Sequence, residues 1–250
     1  MPRILSDDQT AAFDYSGWDQ PRFEQWMRLA EIEALLSPYL ARLGEARFLD
    51  LGGGTGRLAD TLLARHPSSH AVVADNAQAL LARNQQHPRK TVQRVEASRL
   101  AEAFGAQSFD VIFVHRLLHH VVGGSYGGSL RLIQGVLEQC ATILRPCGRL
   151  SIIENIWQGW PIEGLAGRLL YYATSSRVAA PVARRLGSNT AGTGVCYLSE
   201  PLLNRFLSRA GLEVETRQVF AVHRWPWYIR YPTLLREARA LHYWCKPIGA

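Results

Sequence analysis

Phe48-Leu49-Asp50-Leu51-Gly52-Gly53-Gly54-Thr55-Gly56-Arg57-Leu58-Ala59 decides the fold of this chain. Phe48, Leu49 and Leu51 form a short apolar run with strand character. Glycines at 52, 53, 54 and 56 follow. Without a Cβ they let the backbone turn tightly and let a ligand lie against it. From Thr55 onward Leu58, Leu62 and Leu63 recur at helical spacing. A strand, a glycine turn and a helix N-terminus in that order make a nucleotide-type cofactor site.

The glycines do not choose the cofactor. Gly54-x-Gly56-x-x-Ala59 satisfies a relaxed dinucleotide fingerprint, and Asp75 stands 21 residues beyond Gly54, near the spacing of a ribose-binding acid. Asp50 discriminates. A pyrophosphate at this turn would be repelled by its carboxylate, whereas the cationic end of S-adenosylmethionine suits it. The segment from Phe48 to Gly56 resembles the first motif of the class I S-adenosylmethionine-dependent methyltransferases of small-molecule type.

The resemblance runs from about residue 46 to 155. Ala71-Val-Val-Ala-Asp75-Asn76 is similar to the second strand, whose closing acid holds the ribose hydroxyls. Val95-Glu96-Ala97-Ser98 is similar to the third-strand motif that borders the adenine; the family more often has Asp where this chain has Glu96. Ser108 to Val121 resembles the fourth strand and its loop, with His115 flanking the cofactor. Leu144 to Glu154 resembles a helix end, a Pro/Gly turn and the fifth strand. The resemblance implies an α/β, Rossmann-like class I methyltransferase fold: a seven-stranded, mainly parallel sheet with helices on both faces and an added lid. It implies that Asp50, Gly52, Gly53, Gly54 and Gly56 hold the methionine end and Asp75 the ribose, that Glu96, Ala97 and Ser98 border the adenine, and that Asn76 and His115 also belong to the cofactor site.

Alternation along the chain supports this order without the resemblance. Strands are expected at 47–51, 71–75, 91–95, 109–114 and 149–154, with helices at 55–65, 77–86 and 127–144 between them. Such alternation gives a parallel sheet covered on both faces, with ligands at the carboxyl ends of the strands. Residues 1–17 read as a lead, and residues 1–45 as a helical arm or lid. An amphipathic pattern at 18–43 carries Phe23, Trp26, Met27 and Ile32, and Pro38 is expected to kink or break it. Beyond residue 46 comes the core. It ends with a helix opened by Ser199 as N-cap and Pro201, a sixth strand at 212–222 and a last strand at 241–246. The aromatic-rich inserts at about 155–195 and 224–236 are expected to form a substrate lid with a mobile Gly187–Gly194 loop. A homodimer interface is the alternative use.

Methyl transfer needs its acceptor in line, close and desolvated, and needs a base only where the acceptor starts protonated. His119 and His120 follow the fourth strand and are candidates for that base. Glu154 is expected to orient a polar substrate or to cap a following helix. Tyr15 and Trp18 are candidates to close over the cofactor, or to pack the first helix on the sheet. Tyr171 and Trp227 are expected in an apolar or aromatic substrate pocket.

Composition narrows the rest. No apolar run reaches the ~18 residues a membrane helix needs, and the start lacks a signal-peptide core, so a cytoplasmic protein is expected. The four cysteines have no metal-ligand spacing, and no metal is expected. A net charge of +7 suits an anionic partner, but the basic residues are scattered, which argues against nucleic acid. The expected activity is methylation of a small aromatic or apolar molecule, on O or N ahead of C, in secondary metabolism or cofactor biosynthesis. An NAD(P)-dependent oxidoreductase and a non-catalytic binding protein on the same fold are the alternatives.

Overall fold

The computed structural model describes residues 9, 10, 14, 17–185 and 188–249. Tyr15, most of the 1–17 lead and Gly187 lie outside the described residues.

Among these, seven strands form one sheet in the order β3-β2-β1-β4-β5-β7-β6. They are β1 (Arg47–Leu51), β2 (His70–Asp75), β3 (Lys90–Arg94), β4 (Phe109–His115), β5 (Leu144–Gly159), β6 (Leu212–His223) and β7 (Leu235–Pro247). β7 runs antiparallel to both neighbours, and the remaining pairings are parallel. The strand order reverses between β1 and β4, which places a crevice at their carboxyl ends.

Two apolar layers enclose the sheet. On one face α1 (Gln20–Met27), α2 (Leu29–Leu43) and α3 (Arg57–Arg65) bury Phe23, Ile32, Leu36 and Leu62 against Phe48, Val73 and Phe113. On the other, α5 (Leu100–Phe104), α6 (Tyr126–Ile143) and α9 (Glu200–Arg209) bury Leu100, Ile133, Leu137 and Phe206 against Leu49, Ile112 and Leu150. Asp19 caps α1 by accepting from the Arg22 N–H at 2.8 Å, and Ser125 caps α6 by accepting from Gly128 at 3.0 Å. Ser199 occupies the N-cap of α9, but its hydroxyl donates to Glu163 at 2.9 Å.

Three expectations are corrected. The break in the N-terminal helical pattern falls at Arg28 (φ 56°), whereas Pro38 lies inside α2. Pro38 removes one helical bond, and the burial of Leu36 and Leu40 on either side holds that turn together. The helix expected at 77–86 is only α4 (Gln78–Leu81). The next residues wind more tightly, and the Asn84 amide donates to the Leu81 carbonyl at 3.1 Å, closing the helix. Third, β5 and β7 extend well past their expected limits and pair from Leu150↔Cys245 to Gln158↔Glu237. Residues 155–159 of the first insert and 235–236 of the second are therefore strand. Between these strands lie α7 (Leu165–Ser175), α8 (Ala180–Arg185) and α10 (Trp227–Thr233).

Candidate active site

The glycine turn leaves β1 beside a buried carboxyl. Asp50 is 4% exposed, and its Oδ2 has no hydrogen-bond partner among the described residues. A Cβ on Gly53 would lie 2.6 Å from that carboxyl, so only glycine lets the backbone pass. Burial, and then the negative charge of Asp75, push Asp50 up to about 7. Gly56 (φ 73°) starts α3, and a Cβ there would meet Asn84 Oδ1. Asn84 in turn donates to the Gly54 carbonyl at 2.7 Å. Behind the turn, the fully buried Lys90 ammonium donates to Asp60 at 2.5 Å.

Asp75 ends β2 on the same crevice. Its Oδ2 accepts from the Gly54 N–H at 3.0 Å and its Oδ1 from Ala77 at 2.8 Å. Burial raises its pKa, and these backbone bonds oppose the rise. Each oxygen keeps acceptor capacity beyond these bonds.

These groups line a cavity of about 840 Å³ at the carboxyl ends of β1, β2 and β4. Asp50, Gly52, Gly53, Gly54, Asp75, Asn76, Glu96, Ala97, Ser98, His115 and His120 all face it. Gly56, His119 and Glu154 are not among its lining residues. Phe23, Trp26 and Met27 of α1 form an apolar wall. Arg116, at the end of β4, places its guanidinium 4.7 Å from the Trp26 ring centre. Trp26 was visible in the sequence as part of an amphipathic stripe; Arg116 and Asn84 had no sequence signal. Trp18 meets Trp26 edge-to-face at 5.7 Å, one layer outside the cavity lining.

Among the described residues, none from 155–195 or 224–236, the segments expected to form a lid, lines this cavity. Pairing with β7 carries 155–159 onward as strand, and the aromatics there pack on one another. Trp157 stacks on Tyr197 at 4.7 Å, and Tyr197 on His119 at 4.8 Å. Tyr171 is 1% exposed, and its hydroxyl donates to the Gly123 carbonyl at 2.9 Å.

A buried polar pair stands behind the cavity. Glu154 Oε1 lies 2.5 Å from His119 Nδ1, and both side chains are buried. Glu154 caps no helix, because β5 continues through it. The His119 ring lies 4.1 Å from His120, whose ring faces the cavity. Burial, then the nearby charge of His119, hold His120 well below the usual imidazole range, so it is neutral near pH 7. A second array joins His115 Nε2, Ser151 Oγ and His242 Nε2 through two 2.9 Å contacts. Burial and His242 likewise hold His115 low. Its buried Nδ1 has no partner among the described residues.

A family model described as a methyltransferase domain matches residues 49–150, the stretch from β1 into β5 that builds this crevice. These residues match a methyltransferase domain, and the sheet around them has the Rossmann-like class I methyltransferase fold. The ubiquinone/menaquinone biosynthesis C-methyltransferase UbiE of Dinoroseobacter shibae is 31% identical over 124 residues, covering 46% of this chain and 45% of that protein. The match thus spans less than half of that curated relative's length. Among solved structures, an S-adenosylmethionine-dependent methyltransferase of Methanosarcina mazei superposes with a TM-score of 0.55 at 14% identity, covering 82% of this chain and 93% of that one. An arsenic(III) S-adenosylmethionine methyltransferase of Chlamydomonas reinhardtii gives 0.57 at 17%, over 82% of this chain and 64% of that one. At such identities the likeness is one of fold.

The two solved methyltransferases are named for S-adenosylmethionine, and the residues present here fit that cofactor. The buried Asp50 Oδ2 lacks a partner among the described residues, and Asp50 lines the cavity together with Gly52, Gly53 and Gly54 of the glycine turn. Among the described residues no cluster of His, Cys, Asp or Glu has metal-binding geometry, and no helix is long and apolar enough to cross a membrane.

Proposed function

We propose that the protein methylates a small aromatic or apolar molecule, with S-adenosylmethionine as methyl donor. The observation that carries this reading is the cavity itself. Its lining offers the Asp50 carboxyl, whose Oδ2 has no partner among the described residues, and the Asp75 carboxyl, together with an apolar wall of Phe23, Trp26 and Met27. Asp50 and the Gly52–Gly56 turn hold the amino-acid end of the cofactor. Asp75 and Asn76 accept the ribose hydroxyls. Glu96, Ala97, Ser98 and His115 border the remainder. The sulfonium supplies an electrophilic methyl group and needs no covalent help from the protein. The chain positions the acceptor, excludes water and receives a proton.

His120 is the candidate base, because its neutral ring faces the cavity. His119 and Glu154 position it: the Glu154 carboxylate fixes the His119 ring, which packs against His120. A base suits a phenol, an amine or another acceptor that starts protonated, and O- or N-methylation is favoured on that ground. The quinone-biosynthetic C-methyltransferase among the relatives supports carbon as the second reading.

Labelled methyl transfer to a panel of phenols, amines and electron-rich aromatic carbons tests this. The expected result is turnover of one class, with His120→Ala lowering kcat by about 10²-fold or more. Glu154→Gln should lower kcat while leaving cofactor affinity unchanged. Without the negative charge, the acid limb of the pH–rate profile should move to lower pH. Cofactor binding with no turnover of any class would favour a binding protein on this fold.

A further inference from the structure

The segment that the cavity does not use has a chemistry of its own. Residues 160–185 and 224–236 hold seven arginines, no lysine and one acid, Glu163. All seven arginines are exposed. Glu163 is engaged by Arg205 at 2.9 Å and Ser199 at 2.9 Å. Interleaved with the arginines are large apolar side chains that solvent reaches: Trp160 is 67% exposed, Val178 93%, Trp227 71% and Tyr231 76%. The elements are contiguous, since α10 packs on α7 and α7 on α8, and the Trp160 N–H donates to the Leu234 carbonyl at 3.0 Å. Exposed apolar groups of this size, gathered in one place, mark an interaction surface.

Its position is set by β5. Ile153 pairs with His115 at the end of β4, and β5 then runs six residues further to Gly159. At about 3.3 Å per residue this carries residue 160 roughly 20 Å past the sheet's carboxyl edge. The cavity lies at that same edge.

We propose that this arginine- and aromatic-rich face docks the protein on an anionic lipid surface, with the cavity edge turned toward the bilayer. Arginines meet the lipid phosphates, while Trp and Tyr rings settle at headgroup depth. Charge favours this occupant over a second copy of the chain, because a two-fold contact would set the seven arginines against their own duplicates. Docking does not depend on the assigned reaction. With it, an apolar acceptor dissolved in the membrane would reach the site directly.

Co-sedimentation of the full chain with phosphatidylcholine vesicles, with and without one-third phosphatidylglycerol, tests the proposal. Binding is expected to the anionic vesicles alone and to weaken with salt. Arg184→Glu with Arg185→Glu should reduce it by about tenfold or more, and Trp227→Ser with Tyr231→Ser should reduce it as well. S-adenosylhomocysteine binding by all variants serves as the folding control and reports on the cofactor site separately. Absence of binding to anionic vesicles would overturn the proposal, as would equal binding to neutral ones. So would a dimer in solution that these substitutions split, with no vesicle binding by the parent chain.

Discussion

Asp50 is held in a state that disfavours the empty protein. Its pKa of about 7 lies above the unfolded value of about 4. The stability tied to it is therefore fully present below pH ~4 and is lost as pH rises through about 7. A bound ammonium would reverse the preference and drive the proton off. S-adenosylhomocysteine affinity should accordingly rise between pH 6 and 8, by at most about tenfold per unit. Asp50→Asn should flatten that dependence, weaken binding at pH 8 and raise the melting temperature of the unliganded protein there. Calorimetry and thermal melts across this range measure both; an unchanged slope in Asp50→Asn would show that another group governs binding. Asp50 and Asp75 were legible because Asp50 lies one residue before the end of β1, just ahead of the glycine turn, and Asp75 closes β2. The Glu154–His119 pair was not, because its members stand 35 residues apart and meet only through the register of β4 and β5.

At the scale of elements, local periodicity showed the strands and helices of the parallel core. It did not show features whose cause is a distant partner. β5 and β7 lengthen because each supplies the other's ladder, and α1 becomes a cavity wall only by packing over the glycine turn. The left-handed residue at Arg28 carries no glycine to announce it. The aromatic inserts were readable as unusual, but not as stacked core and exposed face. Tyr171 shows the consequence. A ring 1% exposed and bonded to Gly123 belongs to the core that joins α7 to α6. Tyr171→Ala should cost about 3–5 kcal/mol of stability, read from denaturant unfolding, while S-adenosylhomocysteine affinity of the folded fraction holds. A stable variant altered only in acceptor KM would instead return Tyr171 to the substrate pocket.

Across the whole molecule, the sheet's carboxyl edge gathers the chemistry. The glycine turn, the two carboxyls, the histidines beyond β4 and the α1 wall meet there, and the longest strand carries the arginine-rich insert past it. On the proposed reading, this edge holds S-adenosylmethionine through Asp75 and its neighbours. Titration calorimetry with S-adenosylhomocysteine, and in parallel with NADP, tests it most directly on the native chain and on Asp75→Ala. Saturable binding of S-adenosylhomocysteine is expected, with none of NADP, and a loss of about 1.5–3 kcal/mol in the folded Asp75→Ala variant. NADP binding without S-adenosylhomocysteine binding, or an unchanged affinity in Asp75→Ala, would contradict it.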